Sequence, residues 1–472
     1  MSEQPGKRKV FSTAPQEELL YSLAADGTRK HIHPVTTHGR FWWIRRVLAW
    51  VLMTTYVALP LIILNGKPAM LLDLAARKFY LFGGTFHPTD NLILLAFAGG
   101  IATMVFFITA TYGRIWCGYA CPQTVYLEFL FRPIEALIEG KPSQQRKLNR
   151  GPWTGDKALR KTSKWLLYTV AALLMATTFV AYFVGWSGLS QGLLQAPLEH
   201  RIALGVTLFV TAMVLLDFGT FRDQMCTIAC PYGRLQNVLV DDDTIVVAYD
   251  AKRGEPRGKA KKGTAGDERG DCLDCKRCLT TCPTGMDIRR GLQLECVGCA
   301  QCVEACDEVM ERVKRPAGLI RYTSTRELET GKASFWRARV FVYLALLAVA
   351  WSSFVYLAVG RAGARIEFLR SGREAYRVLH TGQVANQLRI RITNQRNEPQ
   401  RFTVTLTEPV GAELVVSINP LVVAANQVQT ANVAVKLDRS IFERGRVPGK
   451  LVVRSDEGHQ YEEEFVFLGP YR

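Results

Sequence analysis

Long apolar stretches alternate with polar segments along the first three-quarters of this chain. A membrane-spanning helix needs about 20 apolar residues, with a range of about 17 to 25. Four stretches reach that length, and a fifth, residues 202–216, must be extended at one of its ends to do so. The pattern therefore predicts five transmembrane helices. The stretches that it selects are residues 47–64, 91–113, 165–198, 202–216 and 340–360.

Basic residues are concentrated in alternate loops between these stretches. Residues 1–46 are polar and basic, and the loop at 114–161 holds nine Lys and Arg, whereas residues 187–200 hold none. Because Lys and Arg collect on the cytoplasmic side, we expect a cytoplasmic N-terminus and, after five spans, a C-terminal region outside. We expect no cleaved signal peptide, since no early apolar core precedes a small-residue cleavage site.

The pattern changes twice towards the C-terminus. Residues 241–270 form a hydrophilic linker rich in Gly and charge. After residue 360, short segments of alternating apolar and polar residues are separated by turn residues, which is typical of a small β-sandwich. The predicted strands are residues 388–394, 401–407, 412–418, 430–437 and 450–454.

The fold class that follows is an α + β multidomain membrane protein. The predicted organisation is a cytoplasmic N-terminal segment (1–46), four transmembrane helices in two repeats (47–240), a cytoplasmic linker and ferredoxin-type domain (241–335), a fifth transmembrane helix (336–360) and an extracytoplasmic β-domain (361–472).

Composition supports a membrane protein more than a nucleic-acid-binding one. The chain has a formal net charge of +17 and a mean hydropathy of +0.05, with 48% apolar and 21% charged residues. A basic chain of this kind is a candidate for nucleic-acid binding. The basic residues, however, lie beside the apolar stretches, where they set membrane orientation. We therefore expect contact with membrane lipid and none with nucleic acid.

Eight of the twelve cysteines form two matching runs. Each run has the spacing Cys-x2-Cys-x2-Cys-x3-Cys, which is typical of proteins with two [4Fe–4S] clusters, in which the fourth cysteine of a run ligates the other cluster. Zinc modules use separated cysteine pairs in sets of four, so they fit less well. The spacing assigns one cluster to Cys272, Cys275, Cys278 and Cys306, and the other to Cys296, Cys299, Cys302 and Cys282.

The other four cysteines form two CxxxCP motifs, Cys117/Cys121 and Cys226/Cys230, 109 residues apart. Each motif follows two apolar stretches, which indicates a duplication. Pro favours the first position of a helix, so Cys121 and Cys230 are predicted at helix N-termini, where the thiol pKa falls. Thiolates are preferred ligands of Cu(I), zinc and iron–sulfur clusters. The alternative is that the four are small buried side chains without chemistry.

These features together resemble the FixG/RdxA/CcoG family over nearly the whole chain. The resemblance is carried by the eight-cysteine segment, both CxxxCP motifs, the five apolar stretches and the trailing β-segment. It implies an immunoglobulin-like C-terminal domain, a multi-pass protein of the bacterial inner membrane with that domain in the periplasm, and clusters reduced by a cytosolic electron donor. It also implies that Cys117, Cys121, Cys226 and Cys230 serve a catalytic redox or copper site.

The implied activity is reduction of Cu(II) to Cu(I) for assembly of cbb3-type cytochrome c oxidase. Copper would be the substrate, and oxidase subunits or copper-delivery proteins would be partners. Two alternatives remain open at this point: a quinol-linked electron-transfer subunit of another respiratory system, and a non-catalytic assembly scaffold.

Overall fold

The computed structural model describes most of the chain beyond residue 30. The described residues are 31–64, 66–87, 90–195, 199–258, 269–291, 293, 295–360, 363–370, 374–396, 398–442, 444–456 and 458–471. They form two compact units. One comprises the described parts of Met1–Leu64, Pro68–Arg77 and Asn91–Val355, and the other those of Asn65–Lys67, Lys78–Asp90 and Tyr356–Arg472.

Helices dominate the first unit. In chain order, the α-helices among the described residues are α1 (Arg40–Ala58), α2 (Asn91–Tyr112), α3 (Ile115–Tyr119), α4 (Pro122–Tyr126), α5 (Arg132–Glu139), α6 (Pro142–Arg150), α7 (Gly155–Val184), α8 (Trp186–Gln195), α9 (Arg201–Leu216), α10 (Pro231–Leu239), α11 (Ala251–Gly254), α12 (Arg277–Thr281), α13 (Gln301–Arg312), α14 (Thr325–Thr330) and α15 (Ala338–Val359).

Four helices in the described part of the chain are long and apolar enough to cross a membrane. They are α2, α7, α9 with the π-helical turn that follows it, and α15. Apolar side chains on α15 such as Val342, Leu346 and Val349 are exposed, which suits contact with lipid. The predicted membrane protein is thus confirmed in its apolar helices, whereas the count of five spans is not confirmed.

The first predicted span has the wrong bounds. The helix α1 begins at Arg40 and ends at Ala58, so residues 59–64 are not helical. Pro60 explains the end, because proline disfavours helix for the residue before it. The earlier start brings Arg45 and Arg46 into the helix, and Arg45 is fully buried.

The fourth predicted span gains its missing length at the C-terminal end. The helix α9 runs directly into a π-helical turn at Asp217–Phe221, and together they cover 21 residues. The third stretch divides at Gly185, whose φ of +81° ends α7 before α8 begins.

A further helical rod follows the first CxxxCP motif. It begins at Pro122, as predicted, and continues through α4, a π-helical turn at Leu127–Phe131 and α5. Leu127 and Phe131 of this segment are buried with Tyr168 of α7 in one apolar cluster. The rod therefore belongs to the core of the helical unit.

Sixteen strands lie among the described residues. They are β1 (Ile63–Leu64), β2 (Lys67–Pro68), β3 (Met70–Asp73), β4 (Lys78–Leu81), β5 (Gly84–Phe86), β6 (Val246–Tyr249), β7 (Ile320–Thr323), β8 (Ala364–Arg370), β9 (Arg377–Val378), β10 (Val384–Asn394), β11 (Gln400–Glu408), β12 (Glu413–Val416), β13 (Leu421–Val423), β14 (Val428–Leu437), β15 (Arg446–Ser455) and β16 (Gln460–Leu468).

The cysteine-rich segment is closed by one short antiparallel pair. The strand β6, before the segment, pairs with β7, after it, in the register Val246 to Thr323. Between them, α12 and α13 pack against a core that includes Met286, Ile288 and Met310. Both runs of cysteines thus lie on one small scaffold whose ends are tied together.

The second unit contains a β-sandwich. One sheet has the order β12-β14-β10-β8, with β9 also paired to β10, and the other has the order β13-β11-β15-β16. Residues that alternate along β10, such as Leu388, Ile390 and Ile392, are buried in the shared core with Phe402 and Phe467. The alternation that predicted the strands is therefore the alternation of core and solvent faces.

Candidate functional site

The eight cysteines of the matching runs border two adjacent cavities. One is lined by Cys272, Cys275, Cys278 and Cys306. The other is lined by Cys282, Cys296, Cys299 and Cys302, and Cys278 lines both cavities. Each cavity therefore has a set of four sulfur donors drawn from both runs. Sulfur-only donor sets of this size fit [4Fe–4S] clusters.

The two runs adopt the same backbone conformation. In each run the residue before the second cysteine has a positive φ: Asp274 at +49° and Gly298 at +67°. The residue after the second cysteine does too, with Lys276 at +57° and Ala300 at +58°. A helix then begins at the next residue in both runs, α12 or α13. The loop turns back on itself, so three thiols face one cavity.

The two runs differ after their fourth cysteine. Cys282 follows the end of α12 and precedes Pro283, whereas Cys306 lies within α13 and precedes Asp307. Proline would interrupt α13, because it removes a helical hydrogen bond. Asp307 instead continues the helix and accepts a hydrogen bond of 2.7 Å from the Gly318 backbone N–H.

One cysteine differs from the others in its exposure. Cys275 of the first cavity is exposed, whereas Cys272, Cys278 and Cys299 are buried and the remaining four are partly buried. Burial raises the pKa of Cys278, Cys296 and Cys306 to about 12. These thiols lie largely out of water, so a bound group would be shielded from solvent except near Cys275.

The four CxxxCP cysteines come together from the two repeats. Cys117 is in α3, Cys226 is in a π-helical turn at Met225–Ala229, and Cys121 and Cys230 are the N-caps of α4 and α10. Cys226 is close enough to interact electrostatically with the other three, and Cys121 with Cys230. The duplicated motifs thus meet in one place.

The prediction of a lowered thiol pKa is wrong for Cys121. Burial raises the pKa of Cys121, although the backbone N–H groups of Gln123 and Thr124 at the start of α4 act in the opposite direction. Burial also raises the pKa of Cys117, and that of Cys226 to about 12. Loss of hydration outweighs the helix N-terminus, because the charged thiolate is the form that water stabilises most.

The first CxxxCP motif packs directly on the second cysteine run. Cys117 shares one small apolar cluster with Val297, Cys299 and the ring of Tyr232. A Cβ built on Gly118 would lie 2.7 Å from the Val297 O atom and 3.0 Å from the Cys299 Cα atom. Only glycine permits this approach, which brings the four-cysteine group beside the second cavity.

Two arginines and a glutamine hold this junction, and the sequence analysis did not assign them to the site. The Arg45 Nε atom donates to the Gly118 carbonyl oxygen at 2.8 Å. The Arg114 Nε atom donates to Gln236 Oε1 at 2.8 Å, and Cys117 Sγ lies 3.3 Å from the same oxygen. Two features of the sequence could have pointed to these arginines. Arg45 lies near the start of an apolar stretch, and Arg114 lies three residues before a cysteine.

Comparison with known proteins supports an iron–sulfur protein. A 4Fe-4S dicluster domain model matches residues 221–325, and a second 4Fe-4S binding domain model matches 93–143. The model described as the IG-like fold at the C-terminal of FixG, putative oxidoreductase, matches residues 354–470, which include the β-sandwich.

Curated relatives match over most of their length. Protein RdxA of Cereibacter sphaeroides is 34% identical over 407 residues, which are 81% of this chain and 83% of the relative. Protein RdxB of the same organism is 33% identical, over 86% and 88% of the two chains. Nitrogen fixation protein FixG of Rhizobium meliloti is 31% identical, over 80% and 79%. On this identity and coverage, the chain belongs to the FixG/RdxA family of iron–sulfur electron-transfer proteins.

Proposed function

We propose that this protein reduces Cu(II) to Cu(I) at the cytoplasmic membrane, for assembly of a cbb3-type cytochrome c oxidase. The observation that carries the proposal is the packing of Cys117 against Cys299. It brings four thiols at the ends of apolar helices next to a cavity with four sulfur donors. Electron transfer between two sulfur-ligated centres needs such a close approach.

The eight cysteines of the two runs are proposed to hold two [4Fe–4S] clusters. The residues that would ligate them are Cys272, Cys275, Cys278 and Cys306 for one, and Cys282, Cys296, Cys299 and Cys302 for the other. When bound, such clusters supply one-electron storage. The buried positive charge of Arg45 near Cys299 favours a reduced, more negative centre there.

The exposed position of Cys275 favours one direction of electron transfer through the protein. The exposed Cys275 lies on the side where a cytosolic electron donor can approach in water. The second cavity is lined by Val297 and Cys299, which pack against Cys117. Electrons from the donor would therefore leave near the CxxxCP cysteines.

Copper is proposed to accept the electrons that leave near the CxxxCP cysteines. Each Cu(II) takes up one electron from the reduced protein and leaves as Cu(I), so no bond is formed or broken. Sulfur ligands favour Cu(I) over Cu(II), and three of the four motif cysteines, Cys121, Cys226 and Cys230, are partly exposed. The oxidase or a copper-delivery protein would then receive the Cu(I).

We propose that the protein has five spans, with the motifs on the cytoplasmic side and the β-sandwich in the periplasm. The helix α1 has Arg40, Arg45 and Arg46 in its first two turns, and its uncharged part, residues 47–58, is followed by the apolar residues 59–64. Its exposed side chains Val47, Trp50 and Val51 form an apolar face suited to lipid.

The test uses anaerobically purified full-length protein, reduced and then freed of reductant. Addition of Cu(II) with a Cu(I)-specific chelator should give Cu(I) in proportion to the electrons stored, and the C121S/C230S variant should give at least about tenfold less Cu(I) per second. Reduced protein that forms no Cu(I) but reduces a quinone would overturn the proposal in favour of a quinol-linked carrier.

A further inference from the structure

The four CxxxCP cysteines make a donor set that the two matching runs do not use. Cys117 Sγ lies 3.3 Å from Gln236 Oε1, and Cys117 packs against the ring of Tyr232; both partners are on α10, the helix whose N-cap is Cys230. Cys121 and Cys226 also lie near enough to interact electrostatically with Cys117 and Cys230. Cys117 and Cys121 come from one repeat, and Cys226 and Cys230 come from the other. The set is thus complete only when the two repeats pack together.

The spacing within this set does not fit a single metal ion. Among the described residues, no three His, Cys, Asp or Glu side chains lie close enough together to hold one ion. The same is true of the eight cysteines in the two runs, whose spacing is that of [4Fe–4S] proteins. A cluster of four irons holds its thiolates farther apart than one tetrahedral zinc or copper ion does, since each iron carries one of them.

The surroundings of the set also match those of the two runs. The backbone N–H of Gln123 acts on the Cys121 sulfur, as that of Gly298 acts on the Cys296 sulfur. Arg114 lies near Cys117 and Cys226, and it donates to the Cys296 carbonyl oxygen at 3.4 Å. N–H groups and a cation compensate the net negative charge of a thiolate-bound cluster.

The second 4Fe-4S family model covers too few cysteines of this chain to ligate a cluster by themselves. The dicluster model, at residues 221–325, covers the eight cysteines of the two runs together with Cys226 and Cys230, and two clusters require only eight ligands. The second 4Fe-4S model covers residues 93–143, where this chain has two cysteines, Cys117 and Cys121. Four ligands are required, and the two that the structure brings to them are Cys226 and Cys230.

We infer that Cys117, Cys121, Cys226 and Cys230 jointly bind a third [4Fe–4S] cluster that bridges the two repeats. The cluster's role as the electron exit rests on the proposed function, whereas its binding does not. Copper would then accept its electron beside this cluster. Gly118 and Arg114 lie between the third site and the second cavity, and both are part of the contact that joins them.

The test counts iron and acid-labile sulfide per chain in anaerobically purified, reconstituted protein. We expect about twelve irons, four for each of three clusters, and about eight in C121S/C230S. Electron paramagnetic resonance of the reduced proteins should show the loss of one spin system in the variant. The matched control C275S/C306S should also lose about four irons, but from a different spin system.

Two results would overturn the inference. One is a parental protein with about eight irons, because this count does not depend on whether any variant folds. The other is about eight irons together with one zinc or copper ion that C121S/C230S lacks, which would assign the set to a single ion. Twelve irons with no Cu(I) formation would uphold the third cluster and overturn the copper proposal.

Discussion

Gly118 lies against the backbone of Cys299, so that a Cβ at position 118 would come within 3.0 Å of the Cys299 N and Cα atoms. This contact joins the short helix α3, which follows the apolar helix α2, to a loop of the ferredoxin-type segment, although Gly118 and Cys299 are 181 residues apart in sequence. Arg45, fully buried, holds the same glycine through its carbonyl oxygen.

The first prediction concerns this contact. In G118A, the added methyl group must displace the Val297–Cys299 backbone, so electron transfer to Cu(II) should fall about tenfold while iron content stays near the parental level. Gly99 gives the matched control, because a Cβ there meets nothing within 4 Å. Cu(I) formation by G118A at the rate of G99A would show that the contact is not on the electron path.

The second prediction tests the sharing of ligands between the two runs. Cys282 follows the first run but lines the cavity of the second, so C282S should lose about four irons per chain and the spin system of that cluster. T284A is the control, since Thr284 Oγ1 is 3.3 Å from the Cys282 sulfur and lines the same cavity. Unchanged iron in C282S would contradict the assignment.

The third prediction concerns the buried ion pair between Glu135 and Arg222. The Arg222 guanidinium donates two hydrogen bonds of 2.8 Å to the Glu135 carboxylate, whereas the Asp217 carboxylate accepts one of 2.9 Å from the Gln123 side-chain amide. Burial would raise the pKa of Glu135, yet the adjacent Arg222 lowers that pKa to about 2.

In E135A, Arg222 is left buried without its carboxylate, so the free energy of unfolding should fall by about 3–5 kcal/mol. The exposed pair Asp156–Arg160 supplies the control, and D156A should change the free energy of unfolding by less than about 1 kcal/mol. Thermal unfolding in detergent measures both. Equal effects of the two substitutions would show that burial of the Glu135–Arg222 pair does not set its contribution.

The fourth prediction concerns topology. On the proposed topology of five spans, a reporter at the N-terminus and one fused after Arg150 should lie on the same side of the membrane, because two spans, α1 and α2, separate them. A reporter after residue 472 should lie on the opposite side, because α7, α9 and α15 follow. If the N-terminal and residue-150 reporters lie on opposite sides, α1 does not span and four helices cross the membrane.

The sequence by itself determined what depends on local periodicity and spacing. The apolar stretches predicted α2, α7, α9 and α15 because lipid-facing helices are apolar along their whole length. The alternation along residues 388–394 predicted β10, since successive side chains of a strand face core and solvent in turn. Cys-Pro placed the start of α4 and α10 through the fixed φ of proline.

Only the tertiary structure decided what depends on contacts between distant segments. The burial of Arg45, the meeting of Cys117 with Cys299, and the raised pKa of Cys121 arise from side chains that lie far away in sequence. No local pattern encodes them, because hydration and close packing are properties of the whole surroundings of a group. The sequence therefore identified the twelve cysteines as candidate ligands, and the tertiary structure determined which of them lie close together.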